Sequence, residues 1–214
     1  MARPRVITYG ADHNDNTLRG NSMTSLFGPD VRDLGAAFIE PSARIYGAVE
    51  IGAGASVWCN AVIRAECQRV VIGPQSNVQD FVMIHVGLDT PTLIGARCSI
   101  THHVTLHGCT VEDDCLIGIG ATIMDRCVIG RGSIVAGGAF LTEGTVIPPH
   151  SIVMGAPGKV TRSRDNTAAN RMNALLYHRN ALAYAAGNYR VWSQPELLAE
   201  VVAEQARHAA TTAP

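Results

Sequence analysis

The 214-residue sequence predicts a mainly β protein: a parallel β-helix of about six triangular coils, followed by C-terminal helices. Three observations predict it. An apolar residue returns every sixth position, the residue four places after it is small, and the composition is aliphatic with few rings and few charges. AVILMFWYC make up 47% of the chain, but aromatics only 5% and charged residues 16%, against roughly 25% charged in an ordinary soluble domain. A core of small branched side chains without aromatic bulk suits a narrow, repetitive interior.

The register opens with Ile39, Ile45, Ile51, Val57 and Ile63 and continues with Ile72, Val78 and Ile84, then Ile94, Ile100 and Leu106. After one five-residue step come Val111, Ile117, Ile123, Ile129, Val135, Leu141, Ile147 and Val153. A period of six fits neither an amphipathic helix nor an alternating strand. It fits hexapeptides that each make one flat side of a triangular coil, with the head pointing inward and the small residue filling the corner. Stacked at roughly 4.8 Å, the coils make a prism about 30 Å long. The corner position takes Cys67, Cys98, Cys115 and Cys127, which the register reads as packed thiols. Cys59 and Cys109 fall outside it. With no CxxC pair among the six cysteines, reduced thiols are expected rather than a disulfide framework.

Two interruptions mark candidate functional loops, since insertions on a regular scaffold often carry function. The step from Ile63 to Ile72 inserts a three-residue bulge near Glu66 to Arg69, and the step from Ile84 to Ile94 a loop around Gly87 to Pro91. The repeat stops at the turn signal Gly155-Ala156-Pro157-Gly158. A helix is expected from about 167 to 186 on the pattern Met172, Leu175, Leu176, Leu182, Ala183 and Ala186, with Gly187 as its stop. Ser193 and Glu196 read as a capping box, with Pro195 early in a second helix ending near Ala206. The expected organisation is an irregular arm over 1–36, the β-helix over 37–160 and a helical segment over 161–214.

A net charge near −1 gives no footprint for nucleic acid or for a membrane surface. No run approaches the about 18 apolar residues of a membrane span, and the first thirty residues lack the apolar core of a signal peptide. A cytoplasmic protein is the expectation.

Placing polar residues on the prism sharpens the reading. Ile63, Ile84 and Leu106 lie on one side in successive coils, so the residues after them, Arg64, His85 and His107, form a column about 5 Å apart. Asp80 and His102, each two places after a head of another side, also stack. His85 and His107 can share a metal, whereas His102 lies around the corner. In a trimer of prisms, His102 of one chain meets His85 and His107 of its neighbour. Three neutral imidazoles with an open position are the ligand set of a catalytic zinc. His103 belongs to no column and reads as a surface group or a proton relay; His150 and His178 read as structural or exposed.

These residues carry a resemblance to the γ-class carbonic anhydrase family of hexapeptide-repeat proteins. The matching motifs are Val57-Trp58, Ile63-Arg64, Ser76-Asn77-Val78-Gln79-Asp80, His85, His102, Leu106-His107-Gly108-Cys109-Thr110, Leu116 to Ala121 and Gly155 to Lys159, within residues 34–190. The resemblance implies a left-handed β-helix, against the usual crossover hand, in a homotrimer with intersubunit metal sites. It implies His85, His102 and His107 as ligands, and Gln79 near the metal water. It also implies Arg64 with Asp80 near the interface, and Trp58 and Asn77 flanking the pocket. The sequence departs from the family's usual pattern at Ala65-Glu66, where the family reads Gly-Asp, and at Thr101, where it reads Gly. Asp89 is the only acid between His85 and Ile94.

The activity implied is a zinc-hydroxide lyase that hydrates CO2 to bicarbonate, with Fe2+ or Co2+ able to use the same imidazoles. Gln79 would orient the nucleophile or substrate. Arg64 with Asp80 or Glu66 would hold the interface and attract bicarbonate, and His103, Glu66 or Asp89 would relay the proton. The competing readings are a metal-dependent thioesterase or lactonase acting on a small ester or thioester, a CoA-dependent acyltransferase of the same fold, and a catalytically weak trimeric scaffold.

Overall fold

The computed structural model describes residue 28 and residues 30–212, so the expected irregular arm lies outside the described residues except at its end. The expected coils are present as a parallel β-solenoid with two C-terminal helices, consistent with left-handed winding. One side stacks β2 (Phe38–Ile39), β4 (Ser56–Val57), β6 (Asn77–Val78), β9 (Ser99–Ile100), β12 (Leu116–Ile117), β15 (Ile134–Val135) and β18 (Ser151–Met154). A second side takes the front halves of β3 (Arg44–Ile51) and β5 (Val62–Ile72), then β7 (Met83–His85), β10 (Thr105–His107), β13 (Thr122–Ile123) and β16 (Phe140–Leu141). The third takes β1 (Arg32–Asp33), the back halves of β3 and β5, then β8 (Thr92–Ile94), β11 (Thr110–Val111), β14 (Val128–Ile129) and β17 (Val146–Ile147).

The hexad heads pair head to head between coils, as Ile63 with Ile84 and Ile84 with Leu106. All the heads from Ile45 to Val153 are at most 4% exposed, and only Ile39, at the open end, is half-buried. Most corner residues are buried with them, because a coil this narrow has no room for a longer side chain at the bend. The bulge of β5 falls between Ala65 and Val70, where its pairing with β3 shifts register.

That bulge corrects one expectation. Cys67 is exposed, because the inserted residues leave the wall, whereas Cys98, Cys115 and Cys127 are buried as expected. Cys109 is also buried: the five-residue step between Leu106 and Val111 draws it into the corner.

After Val153 the chain turns back, and β19 (Lys159–Ser163) pairs antiparallel with β18. Helix α1 (Thr167–Ala185) then runs along the first side and stops before Gly187, whose φ is +76°. Its inner face is not the expected leucine stripe. Asn170, Ala174, Asn180 and Ala181 are buried, and Leu182 is exposed. The reason lies underneath: this side carries the buried polar residues Ser56, Asn77, Gln79, Ser99 and Ser133, which need partners. Asn170 Nδ2 donates to the Asp114 and Ser133 carbonyls, and Ser99 Oγ donates to Asn173.

The capping box does not form. Ser193 ends a 3-10 turn and its hydroxyl donates to the Arg190 carbonyl; α2 (Pro195–Thr212) begins with proline at its first position.

Asp114 ties the coils to α1. Its side chain is fully buried and accepts from Arg97 at 2.7 Å, from Arg131 at 3.2 Å and from Arg171 through two nitrogens at 2.9 Å. Burial pushes its carboxyl up, but the bonds and charges of Arg171 and Arg97 outweigh burial and hold it at about 2. A depressed carboxyl contributes stability that is complete above its unfolded value near 4 and is lost as pH falls through 2. Asp114→Asn should therefore lower stability at pH 7 by about 2 kcal/mol, the gap to the parent closing between pH 4 and 2. Unfolding curves of both proteins across that range check this.

Candidate metal centre

The strand ladder builds the predicted column. His107 pairs with His85 in register on β10 and β7, and Arg64 follows Ile63 on β5 one coil back. His85 Nδ1 lies 3.1 Å from His107 Nε2. The second stack is also present: His102 Nδ1 donates to Asp80 Oδ2 at 2.9 Å.

Each insertion delivers a group to this column. From the bulge, Glu66 Oε2 accepts from His85 Nε2 at 3.0 Å, while Oε1 accepts from Arg64 at 2.5 Å. Within one chain Arg64 thus pairs with Glu66, and Asp80 with His102. At the other end, His107 Nδ1 donates to Asp125 Oδ2 at 2.8 Å, and Thr90 from the loop donates to Asp125 Oδ1 at 3.0 Å. Burial pushes the Asp125 carboxyl up, but the hydrogen bonds of His107 and Thr90 outweigh it and hold it below the ordinary range. Glu66 is likewise held low: its backbone and the nearby Arg64 and His85 outweigh its burial.

The remaining sequence candidates sit to one side. Gln79 is buried, and its Nε2 donates to Asn77 Oδ1 at 2.8 Å; Asn77 Nδ2 donates in turn to Ser99. Trp58 is buried against Phe38, Tyr177 and Tyr184 beneath α1. His103 stacks on Phe81 with centroids 5.0 Å apart, and Asp89 pairs with Arg126, so neither is bonded to the histidine column. His178 bonds the Gly54 carbonyl and His150 pairs with Asp165.

Three groups at the site were missed from sequence: Asp125, Thr90 and Tyr177, whose hydroxyl is 3.5 Å from His102 Nε2. Burial and then the Asp80 charge push the Tyr177 phenol up. A signal for Asp125 existed, because it follows Ile123 by two places in the coil after His107. Thr90 had none, since the inserted loop has no register.

Both His102 and His107 donate Nδ1–H to a carboxylate, which leaves the lone pair on Nε2, the arrangement that orients histidine ligands; His107 Nε2 faces His85 Nδ1, and His102 Nε2 lies near the Tyr177 hydroxyl. Among the described residues, no three His, Cys, Asp or Glu side chains of a single chain are grouped to hold an ion. One chain brings His85 and His107 together and keeps His102 apart, as the prism requires.

These features define a class: a hexapeptide-repeat β-helix protein with a histidine column on its wall. A family model described as bacterial transferase hexapeptide (six repeats) matches residues 108–143. A protein from Methanocaldococcus jannaschii named "Probable carbonic anhydrase" is 45% identical over 141 residues, covering 65% of this chain and 89% of that one. Gamma carbonic anhydrase 1, mitochondrial, of Arabidopsis thaliana is 38% identical over 160 residues, covering 71% of this chain; the match spans 58% of the plant protein. Among solved structures, a hexapeptide transferase family protein from Anaplasma phagocytophilum superposes with a TM-score of 0.66 at 31% identity, covering 74% of this chain and 91% of that one. The chain belongs to the γ-class carbonic anhydrase-like family of hexapeptide-repeat proteins, an enzyme family of lyases.

The Thr101 departure has a local cause. Its hydroxyl donates to the Ile117 carbonyl of the next coil at 2.6 Å, so the side chain is satisfied where it is buried. Thr101→Gly should cost about 1–2 kcal/mol through the lost bond and the freer unfolded chain. Thermal unfolding should register that loss, with bound metal per subunit unchanged.

Proposed function

We propose that the protein catalyses the reversible hydration of CO2 to bicarbonate as a homotrimer. His85 and His107 of one subunit, with His102 of the partner subunit, would hold an ion. The observation that carries this reading is the pair of carboxylate–histidine bonds, Asp80 to His102 and Asp125 to His107, on adjacent sides of the prism. They leave the Nε2 of each ring unprotonated. The donor set fits zinc: His85 Nδ1 and His107 Nε2 face each other 3.1 Å apart, while the other nitrogen of each ring is bonded to a carboxylate, so both facing nitrogens would be free to hold an ion. Bound zinc would supply Lewis acidity and a hydroxide nucleophile near neutral pH; iron or cobalt would suit the same imidazoles.

The chain's own residues do the rest. Arg64 places a positive charge beside the column, where it attracts and orients the bicarbonate anion. Gln79 is fixed through its Nε2 by Asn77, which leaves Oε1 to orient the nucleophile or substrate. Glu66, half exposed beside His85, takes the released proton at Oε2 and passes it to solvent; the carboxylate is the family's, one methylene longer. A second reading, acyl transfer from CoA, rests on the repeat fold that the chain shares with the hexapeptide transferase family protein from Anaplasma phagocytophilum. It predicts acetyl-CoA binding in metal-stripped protein.

His107→Ala should abolish both metal content and CO2 hydration. An equimolar mixture of His102→Ala and His107→Ala subunits, unfolded and refolded together, should recover about a quarter of parental turnover, because one in four intersubunit sites in randomly mixed trimers is then intact. No recovery, with mixed trimers verified by mass, would sink the shared site. Stopped-flow CO2 hydration with metal analysis reads both.

A further inference from the structure

We propose that Asp125 and Thr90 position His107 for the metal, the loop between β7 and β8 acting as a clasp on the ligand's far nitrogen. The inference rests on His107 being a ligand, as proposed above.

Two neighbouring residues of the coil hold two neighbouring residues of the loop. Arg126 grips both oxygens of Asp89, at 3.1 and 2.9 Å, and Asp125 Oδ1 accepts from Thr90 at 3.0 Å. The loop closes on itself through Gly87 N–H to the Thr90 carbonyl at 2.9 Å, and Thr92 anchors its far end to the His85 carbonyl at 2.6 Å. With one carboxylate oxygen held by Thr90, the other is aimed at His107 Nδ1 at 2.8 Å. That bond fixes the ring's rotation and keeps the proton on Nδ1, so Nε2 stays a lone-pair donor.

The packing around the carboxylate is specific to this arrangement. A Cβ on Gly87 would lie 2.1 Å from Thr90 Oγ1 and 2.2 Å from Asp125 Oδ1; on Gly108, where φ is +54°, it would lie 2.3 and 2.5 Å from the same atoms. Two glycines thus clear the space in which the carboxylate and hydroxyl meet. A loop needing only to be tied down already has Arg126 and Thr92. The Thr90–Asp125 contact adds the aim of the carboxylate toward the histidine.

The test is zinc affinity, measured by competition with a fluorescent chelator, together with the visible spectrum of the cobalt-loaded protein. Asp125→Ala should weaken zinc 10- to 100-fold, the usual effect of removing such a partner, and should shift the cobalt bands. Thr90→Val should weaken zinc roughly 3-fold, and Thr90→Ser should restore it, since a serine hydroxyl donates the same bond. Parental zinc affinity and cobalt spectrum in folded Asp125→Ala would overturn the proposal while leaving His107 as a ligand, provided His107→Ala loses the metal. Should Asp125→Ala not fold, equal zinc affinity in Thr90→Val and Thr90→Ser would overturn it instead. A parent protein that binds no zinc or cobalt overturns both this inference and the ligand assignment beneath it.

Discussion

The width of the coil governs the molecule. Each side is a strand of two or three residues in most coils, and the space inside admits one branched aliphatic head per side with a small residue at each bend. At that density a longer side chain has nowhere to go and a shorter one leaves a void. Heads can therefore stack only on heads, and the register of one coil is imposed on the next. The wall outside inherits that order, so a residue placed one after a head lies above its counterpart in the coil below.

The candidate metal centre uses this inherited order. His85 and His107 meet because their strands are neighbours in the ladder, with no special loop needed to bring them together. The specialised parts enter where the repeat is broken, at corners where extra residues leave the core undisturbed. Glu66 arrives from one insertion and bonds His85 directly, while Thr90 arrives from the other and acts on His107 through Asp125. A rigid wall thus supplies spacing, and two insertions supply charge and orientation.

What could be read from the sequence follows the same division. The coils, both histidine stacks and both insertions were legible because each depends on counting from a head. Cys67 departs from its corner because the bulge that carries it leaves the wall. The inner face of α1 departs from an apolar stripe because the sheet beneath it is lined with Asn, Gln and Ser. Thr90 was out of reach because a loop without period carries no register. The separation of His102 from the other two histidines was foreseeable for the reason the pair was: a corner lies between them.

A stack of parallel strands has no natural end, since its last strand offers the same ladder that every earlier strand accepted. On the first side the chain answers this by reversing: β19 lies antiparallel along β18 with all five of its residues exposed, Lys159 and Arg162 among them. An edge of reversed direction and positive charge is a poor template for another coil. The hairpin therefore closes the first side to a further parallel strand, so the last coil presents there an edge unlike any that the repeat builds on.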